Sequence, residues 1–427
     1  MKAVVHTLGC KTNQYESGAV IKKLAEHGYE VTDNFEAEAN LYIINTCAVT
    51  AEAERKSRQA ARRCSTLSPQ ADVIIMGCAA QNSAKRFLSM DNVVAAGGIS
   101  GKISLVERYL SGERKFSDIS ISKSYEDETP IKNRTRSYIK VQDGCDKFCS
   151  YCIVPILRGR SRSRDLDSII KEIENCRSKE IVLGGIDLSD YNFEGITLVD
   201  LLRRIGKLSE RVRISSLGVK AVTPKLLYAM KEGNFCPHFH LSIQSGSNEV
   251  LNNMNRQYTS QDIISACELI KQYYPRAAIT SDIIAGFPEE SDQNHLETLA
   301  TLEEAGLSYM HIFPYSIRQG TRAAKMPQID RKIKRQRVRD LEVLREKLWA
   351  KFLESEYGKI SEVITEQTED EYVTGHTENY IKVYLPKNTP KDKLIKVRIG
   401  KRMKDGVEGI LFKKGEGATN GFKRRFV

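Results

Sequence analysis

The chain is predicted to be an α/β protein in three parts. An N-terminal parallel α/β sheet domain covers 1–112, an incomplete (β/α)6 barrel covers 137–356, and a small β-barrel covers 357–427. Three observations predict this. Short β-branched runs alternate with helical stretches over roughly the first 110 residues. A second alternation starts at Ser137 and offers six strands, too few for an eight-fold barrel. After Gly358 helical periodicity stops, and five short strands separated by turns follow.

In the first part, Val4–Val5, Leu41–Ile44 and Val73–Met76 read as strands, being brief, β-branched and bounded by polar residues. Ile21, Leu24 and Ala25 mark one face of the first intervening helix, and Ala53, Ala60 and Ala61 that of the next. Residues 113–136 are polar, contain Pro130, and read as a linker. The second part offers the strands Tyr138–Val141, Glu180–Leu183, Arg213–Ser216, Phe239–Ile243, Ala278–Ile284 and Tyr309–Phe313. Helices such as Leu166–Cys176 and Gln261–Gln272 lie between them.

Residues 331–356 form a strongly basic helix. Its stripe of Val338, Leu341, Leu344, Leu348 and Phe352 should pack on a neighbouring domain. The last part contains Ile360–Thr365, Tyr372–Gly375, Ile381–Tyr384, Leu394–Ile399 and Gly406–Phe412. Turns are expected at Gly375, Pro386–Asn388 and Lys404–Gly406.

Apolar content of 41% and charged content of 28% suit a globular protein. The first ten residues are too short an apolar run for a signal-peptide core, and no stretch approaches a membrane span. A cytoplasmic location without membrane contact is therefore expected, where cysteines stay reduced and serve as ligands or catalysts. Sixty-six Lys plus Arg against 55 Asp plus Glu give +11, compatible with a polyanionic partner.

The chemistry is concentrated in the cysteines. Cys145, Cys149 and Cys152 can hold three irons of a 4Fe–4S cube and leave the fourth without a protein ligand. A structural zinc would want four closed ligands, and no fourth Cys or His lies nearby. Cys10, Cys47 and Cys78 are far apart in sequence, yet each ends a predicted strand. In a parallel sheet those ends share one edge, where ligands bind, so a second three-thiolate site is expected there. Gly9 and Gly77 would let the backbone turn around a bulky guest. Cys64, Cys176, Cys236 and Cys267 read as buried packing residues.

These residues resemble the radical S-adenosylmethionine methylthiotransferases nearly end to end. The resemblance rests on Thr7-Leu-Gly-Cys-Lys-Thr-Asn-Gln-Tyr15, Ile44-Asn-Thr-Cys-Ala-Val-Thr50 and Gly77-Cys-Ala-Ala-Gln81. It continues through the Cys145 triplet, Arg158-Gly-Arg-Ser-Arg-Ser-Arg164, His240-Leu-Ser-Ile-Gln-Ser-Gly-Ser247 and Met254-Asn-Arg256. Asp282-Ile-Ile-Ala-Gly-Phe-Pro288 and Phe313-Pro-Tyr-Ser-Ile-Arg-Gln-Gly-Thr321 complete it, and the terminal barrel resembles that family's RNA-binding TRAM domain. The Cys145 region is most similar to the branch acting on N6-threonylcarbamoyladenosine in tRNA. Departures from the usual pattern are Ser242-Ile243 for Pro-Leu, Gly218-Val219 for Glu-Pro, Gly184 for Thr, and Glu289-Glu-Ser291 for Gly-Glu-Thr.

The resemblance implies two 4Fe–4S clusters and S-adenosylmethionine, with insertion of a methylthio group at C2 of the adenine beside the anticodon. S-adenosylmethionine would bind the cluster on Cys145, Cys149 and Cys152, and the cluster on Cys10, Cys47 and Cys78 would carry sulfur. Tyr151, Gly184, Gly185, Gln244, Asp282 and Gly286 would form the S-adenosylmethionine pocket. Partners would be the anticodon stem-loop of tRNA and an electron donor such as flavodoxin or ferredoxin. Sister branches modify isopentenyl-adenosine in tRNA or an aspartate of a ribosomal protein. A metal-stabilised RNA-binding protein is the non-enzymatic alternative. RNA contacts are expected from Arg158, Arg160, Arg162 and Arg164, from the helix at Arg331–Arg339, and from the tail Gly421–Val427.

Overall fold

The computed structural model describes residues 1–130 and 135–412. The first sheet holds β1 (Lys2–Thr7), β2 (Glu30–Thr32), β3 (Leu41–Thr46), β4 (Asp72–Gly77), β5 (Val93–Gly97) and β6 (Phe116–Asp118). They lie in the order β2-β1-β3-β4-β5-β6, all parallel. All six residues of β3 are buried, as an interior strand covered on both faces requires. The covering helices are α1 (Lys11–Glu26), α2 (Ala51–Leu67), α3 (Cys78–Leu88) and α4 (Lys102–Leu110). Thr50 caps α2 by accepting from the Ala53 N–H at 3.1 Å. Leu24, Ala60 and Ala61 are buried as their spacing predicts, whereas Ala25 is exposed.

The 113–136 stretch is not a plain linker. Phe116–Asp118 adds the edge strand β6, Tyr125 donates its hydroxyl to the Lys140 carbonyl at 2.8 Å, and Pro130 packs on Gly18. The stretch is thus tied to the first part through β6 and Pro130 and to the second through Tyr125. Composition hid this because the strand is only three residues long and the other two contacts are each made by one side chain against a distant element.

The second part contains β7 (Arg136–Lys140), β8 (Glu180–Gly184), β9 (Arg211–Ile214), β10 (His238–Gln244), β11 (Ala278–Ala285) and β12 (Tyr309–Pro314). Parallel pairing runs β7-β8-β9, and Ser216–Leu217, directly after β9, continues it through β10-β11-β12. This is the expected incomplete barrel. Between Cys152 and β8 come α5 (Val154–Arg158) and α6 (Leu166–Glu174). The remaining helices are α7 (Leu198–Ile205), α8 (Pro224–Lys231), α9 (Asn248–Asn253), α10 (Ser260–Tyr273), α11 (Asp292–Ala305) and α12 (Arg331–Glu356). Leu341, Leu344 and Leu348 of α12 are buried in the barrel's core cluster, with Val338 packed against it. Phe352 packs instead on the terminal core.

That terminal unit is a closed barrel of β13 (Ile360–Glu369), β14 (Tyr372–Thr377), β15 (Lys382–Pro386), β16 (Leu394–Met403) and β17 (Gly406–Leu411). Gly375 lies within β14 rather than at a turn, and a Cβ there would stand 2.3 Å from the Ile364 carbonyl oxygen. The glycine serves close strand approach, and Asp370, at φ 52°, makes the turn. Among the described residues no helix is long and apolar enough to cross a membrane.

Candidate functional site

Cys10 precedes α1 at the end of β1, Cys47 follows β3, and Cys78 opens α3 directly after β4. Because β1, β3 and β4 are neighbours in the sheet, the three thiols share one edge. Gly9 has φ +101°, and a Cβ there would lie 2.7 Å from Cys47 Cβ and 3.0 Å from its Sγ. The Asn13 amide donates to the carbonyls of Leu8 at 2.8 Å and Thr46 at 3.0 Å, fixing the loops that carry Cys10 and Cys47. Burial, reinforced by Cys78 and Cys10, pushes the Cys47 thiol up to about 11, and burial raises Cys78 as well.

Cys145, Cys149 and Cys152 occupy the loop between β7 and α5, on the side where the barrel strands end. Burial pushes Cys145 up to about 11 and Cys152 up to about 12. Arg256 donates through Nη1 to Cys149 Sγ at 3.0 Å and through Nη2 to the Ser242 carbonyl at 2.6 Å. Thiols held protonated by burial become ligands when metal displaces the proton, and a nearby guanidinium offsets the charge a thiolate-bound cluster carries. Among the described residues, the one group of three ligating side chains within 4.8 Å is Cys145, Asp187 and Asp190. Three thiols at each site are the donor set of a cube with one iron left open, whereas a structural zinc takes four ligands.

The two thiol sets are joined by α5. Ile153 and Leu157 belong to the N-terminal core cluster together with Ala48, Ala79 and Phe87. Arg158, 1% exposed, ends the helix and donates to Glu16 at 3.0 Å, Asp143 at 2.9 Å and Asn13 Oδ1 at 3.0 Å. Lys140 pairs with Glu16 at 2.9 Å and Asp143 at 2.7 Å, and Lys102 also pairs with Glu16. On the other side of the mouth, Ser316 Oγ accepts from the Ala51 N–H at 3.0 Å and Arg318 pairs with Glu54 at 2.6 Å.

The RNA-facing arginine row is corrected by this arrangement. Arg158 and Arg164 are buried, the latter paired with Glu172 and with Asp127 at 2.6 Å, and Arg162 donates to the Arg158 carbonyl at 2.8 Å. The expectation took the segment as extended, but Gly159, at φ 75°, reverses the chain after α5. Arg160 alone of the four remains exposed. On α12, Arg337 is buried against Glu290 at 2.8 Å, Lys334 is half-buried, and Arg331, Lys332, Arg335 and Arg339 are exposed. The tail Gly421–Val427 lies outside the described residues.

Of the expected pocket residues, Gly184, Gly185, Gln244 and Gly286 stand at the ends of β8, β10 and β11. Tyr151 meets Phe287 edge-on at 6.4 Å, and Phe287 meets Tyr315 at 5.6 Å. Asp282 sits deeper, within β11, with His240 Nε2 3.5 Å away. A Cβ at Gly184 would overlap the Tyr138 phenol at 1.9 Å, and one at Gly185 would meet Gln142 Oε1 at 2.8 Å. Both glycines thus make room for the barrel's own side chains. Ser215 Oγ, just beyond β9, and Asn45 Oδ1, two residues before Cys47, are buried without partners among the described residues. Arg256 had no role in the sequence reading; its signal was the Met254-Asn-Arg256 motif. The four remaining cysteines include three that are buried and Cys176, which is half-buried beyond α6.

Residues 139–302 match the Radical SAM superfamily, and residues 2–97 match a family described as Uncharacterized protein family UPF0004. The chain is 36% identical over 421 residues to the threonylcarbamoyladenosine tRNA methylthiotransferase MtaB of Bacillus subtilis (strain 168), covering 92% of each chain. It is 36% identical to the protein of that name from Aquifex aeolicus (strain VF5), over 93% of this chain and 100% of that one. It is 33% identical to a tRNA-2-methylthio-N(6)-dimethylallyladenosine synthase from Alkaliphilus oremlandii (strain OhILAs), over 93% and 90% of the chains. Among solved structures, the fold is similar to the radical S-adenosylmethionine methyltransferase TsrM from Kitasatospora setae. That match has a TM-score of 0.56 and 11% identity over 76% and 77% of the chains. With paired thiol triplets and near-complete alignment to such relatives, this chain belongs to the radical S-adenosylmethionine methylthiotransferase family.

Proposed function

We propose that this enzyme inserts a methylthio group at C2 of N6-threonylcarbamoyladenosine beside the anticodon of tRNA. The observation that carries the reading is the pair of three-thiol sites held across α5 from each other, because sulfur insertion at an unactivated carbon needs a radical source and a sulfur source at one substrate. The substrate follows from the relatives named for threonylcarbamoyladenosine, which match at up to 36% identity. When bound, 4Fe–4S clusters and S-adenosylmethionine supply the reducing electron, the radical, the sulfur and the methyl group.

The protein's part is placement. Cys145, Cys149 and Cys152 would hold one cluster, with Arg256 steadying Cys149. Cys10, Cys47 and Cys78 would hold the other. Tyr151, Gly184, Gly185, Gln244, Asp282 and Gly286 would border S-adenosylmethionine, with the unpartnered Ser215 hydroxyl free to bond it. We assign 1–112 to the sulfur-carrying domain, 137–356 to the radical core, and 357–427 to a TRAM-like RNA-binding barrel. A flavodoxin or ferredoxin would supply electrons.

Mass spectrometry of tRNA nucleosides from cells with and without the gene tests the substrate. Loss of 2-methylthio-N6-threonylcarbamoyladenosine is expected on deletion; loss of the isopentenyl counterpart instead would reassign the branch. The division of labour is tested by Cys149→Ala, expected to abolish S-adenosylmethionine cleavage, against Cys47→Ala, expected to cleave without inserting sulfur. Equal cleavage in both variants and the parent would refute it.

A further inference from the structure

A groove of about 640 Å³ runs between α12 and the end of β12. Its floor is apolar, formed by Pro314, Tyr315 and Ile317. One wall carries Arg331, Lys334, Arg335 and Arg339, with Glu342 also in the lining, and none of these cations makes an ion pair among the described residues. Elsewhere on α12, Arg337 is matched by Glu290 and Lys347 by Glu303. Four unmatched like charges on one helical face repel each other, and partial burial, with Arg331 adding to it, lowers the ammonium of Lys334. Such a row is relieved by an anion.

The groove also has a definite position. A Cβ on Gly286, at the end of β11, would meet Lys334 Cγ at 2.5 Å, and Lys334 Nζ lies 4.9 Å over the Tyr315 ring. Tyr315 packs on Phe287, which packs on Tyr151 beside Cys152. Ala51, four residues after Cys47, lines the opposite side. The groove is thus linked through Phe287 and Tyr151 to the Cys152 loop, and through Ala51 to the start of the helix that follows Cys47.

From Arg331 to Arg339 the row extends about 12 Å along the helix, longer than one carboxylate can occupy. We propose that this groove is the track for the single RNA strand flanking the target nucleotide, with consecutive phosphates on the α12 cations and a base against the apolar floor. This rests on the tRNA reading above and specifies where the strand runs.

The test uses the full, cluster-reconstituted chain and an anticodon stem-loop RNA carrying N6-threonylcarbamoyladenosine, with binding measured by anisotropy across a salt series. The double variant Lys334→Ala/Arg335→Ala should flatten the slope of log affinity against log salt by about 1.4, and weaken binding roughly 25-fold at 0.1 M salt. Lys351→Ala, at the far end of α12, should match the parent. An unchanged slope in the double variant, with the parent still binding, overturns the groove and leaves the tRNA reading standing. A loss confined to RNA bearing the threonyl group, absent with plain adenosine, also overturns it, because the cations would then read that carboxylate. If the parent itself neither binds the stem-loop nor methylthiolates it, the tRNA reading fails as well.

Discussion

Single residues explain where this chain obeys and where it breaks the family pattern. Glu289 stands where glycine is usual, and its φ of 63° lies in the left-handed region. It is exposed, with no contact to offset the strain. Glu289→Gly should therefore raise stability by about 1 kcal/mol, read as a higher urea midpoint with unchanged slope. A destabilised variant would mean that the glutamate side chain contributes something its surroundings do not show. Gly9 is the converse case, since its missing Cβ is what lets Cys47 come close. The cysteines were legible in sequence because a strand-end position is set by local pattern. Arg158 was not. Its composition says only that it is basic, and its burial depends on Glu16 and Asp143, which arrive from elsewhere in the chain.

At the scale of elements, the charged knot beneath α5 is what docks the first two parts. Burial alone would raise Glu16 and Asp143, but Arg158 and Lys140, joined at Glu16 by Lys102, outweigh it and hold both carboxyls well below their ordinary range. A depressed folded value means the contribution is complete above the unfolded value, near pH 4, and is lost as pH falls further. The parent's urea midpoint should drop steeply below about pH 4. Arg158→Ala should cost about 3–5 kcal/mol at neutral pH and show a shallower acid limb, with Arg158→Lys in between. An equally steep limb in Arg158→Ala would place the acid sensitivity elsewhere. The strands of the barrel and helix α12 could be read from pattern alone, because each has a strong period. Strands β2, β5 and β6 could not: β2 and β6 are three residues long, and β5 is largely alanine and glycine.

Across the whole molecule, polar joints add to the apolar packing that α5 and α12 provide between the parts. At the last of these, Glu356, 1% exposed at the end of α12, accepts from Arg276 at 2.7 Å, Lys359 at 2.9 Å and Asn379 at 3.1 Å. Glu356→Ala should cost about 2 kcal/mol and split calorimetric unfolding, with the terminal barrel melting first. One unshifted transition would show that the apolar contacts of α12 suffice. How the parts dock was not legible in the sequence, because Tyr380 and His376 meet Arg213, Arg136 and His238 across the base of the barrel through residues with no pattern between them. The short helix α5 has the widest consequence. It begins two residues after Cys152 and is rooted in the other unit's interior, so the gap between the two proposed metal centres is a constant of the architecture. With that span held by α5, a nucleobase served by both centres has to do the travelling itself.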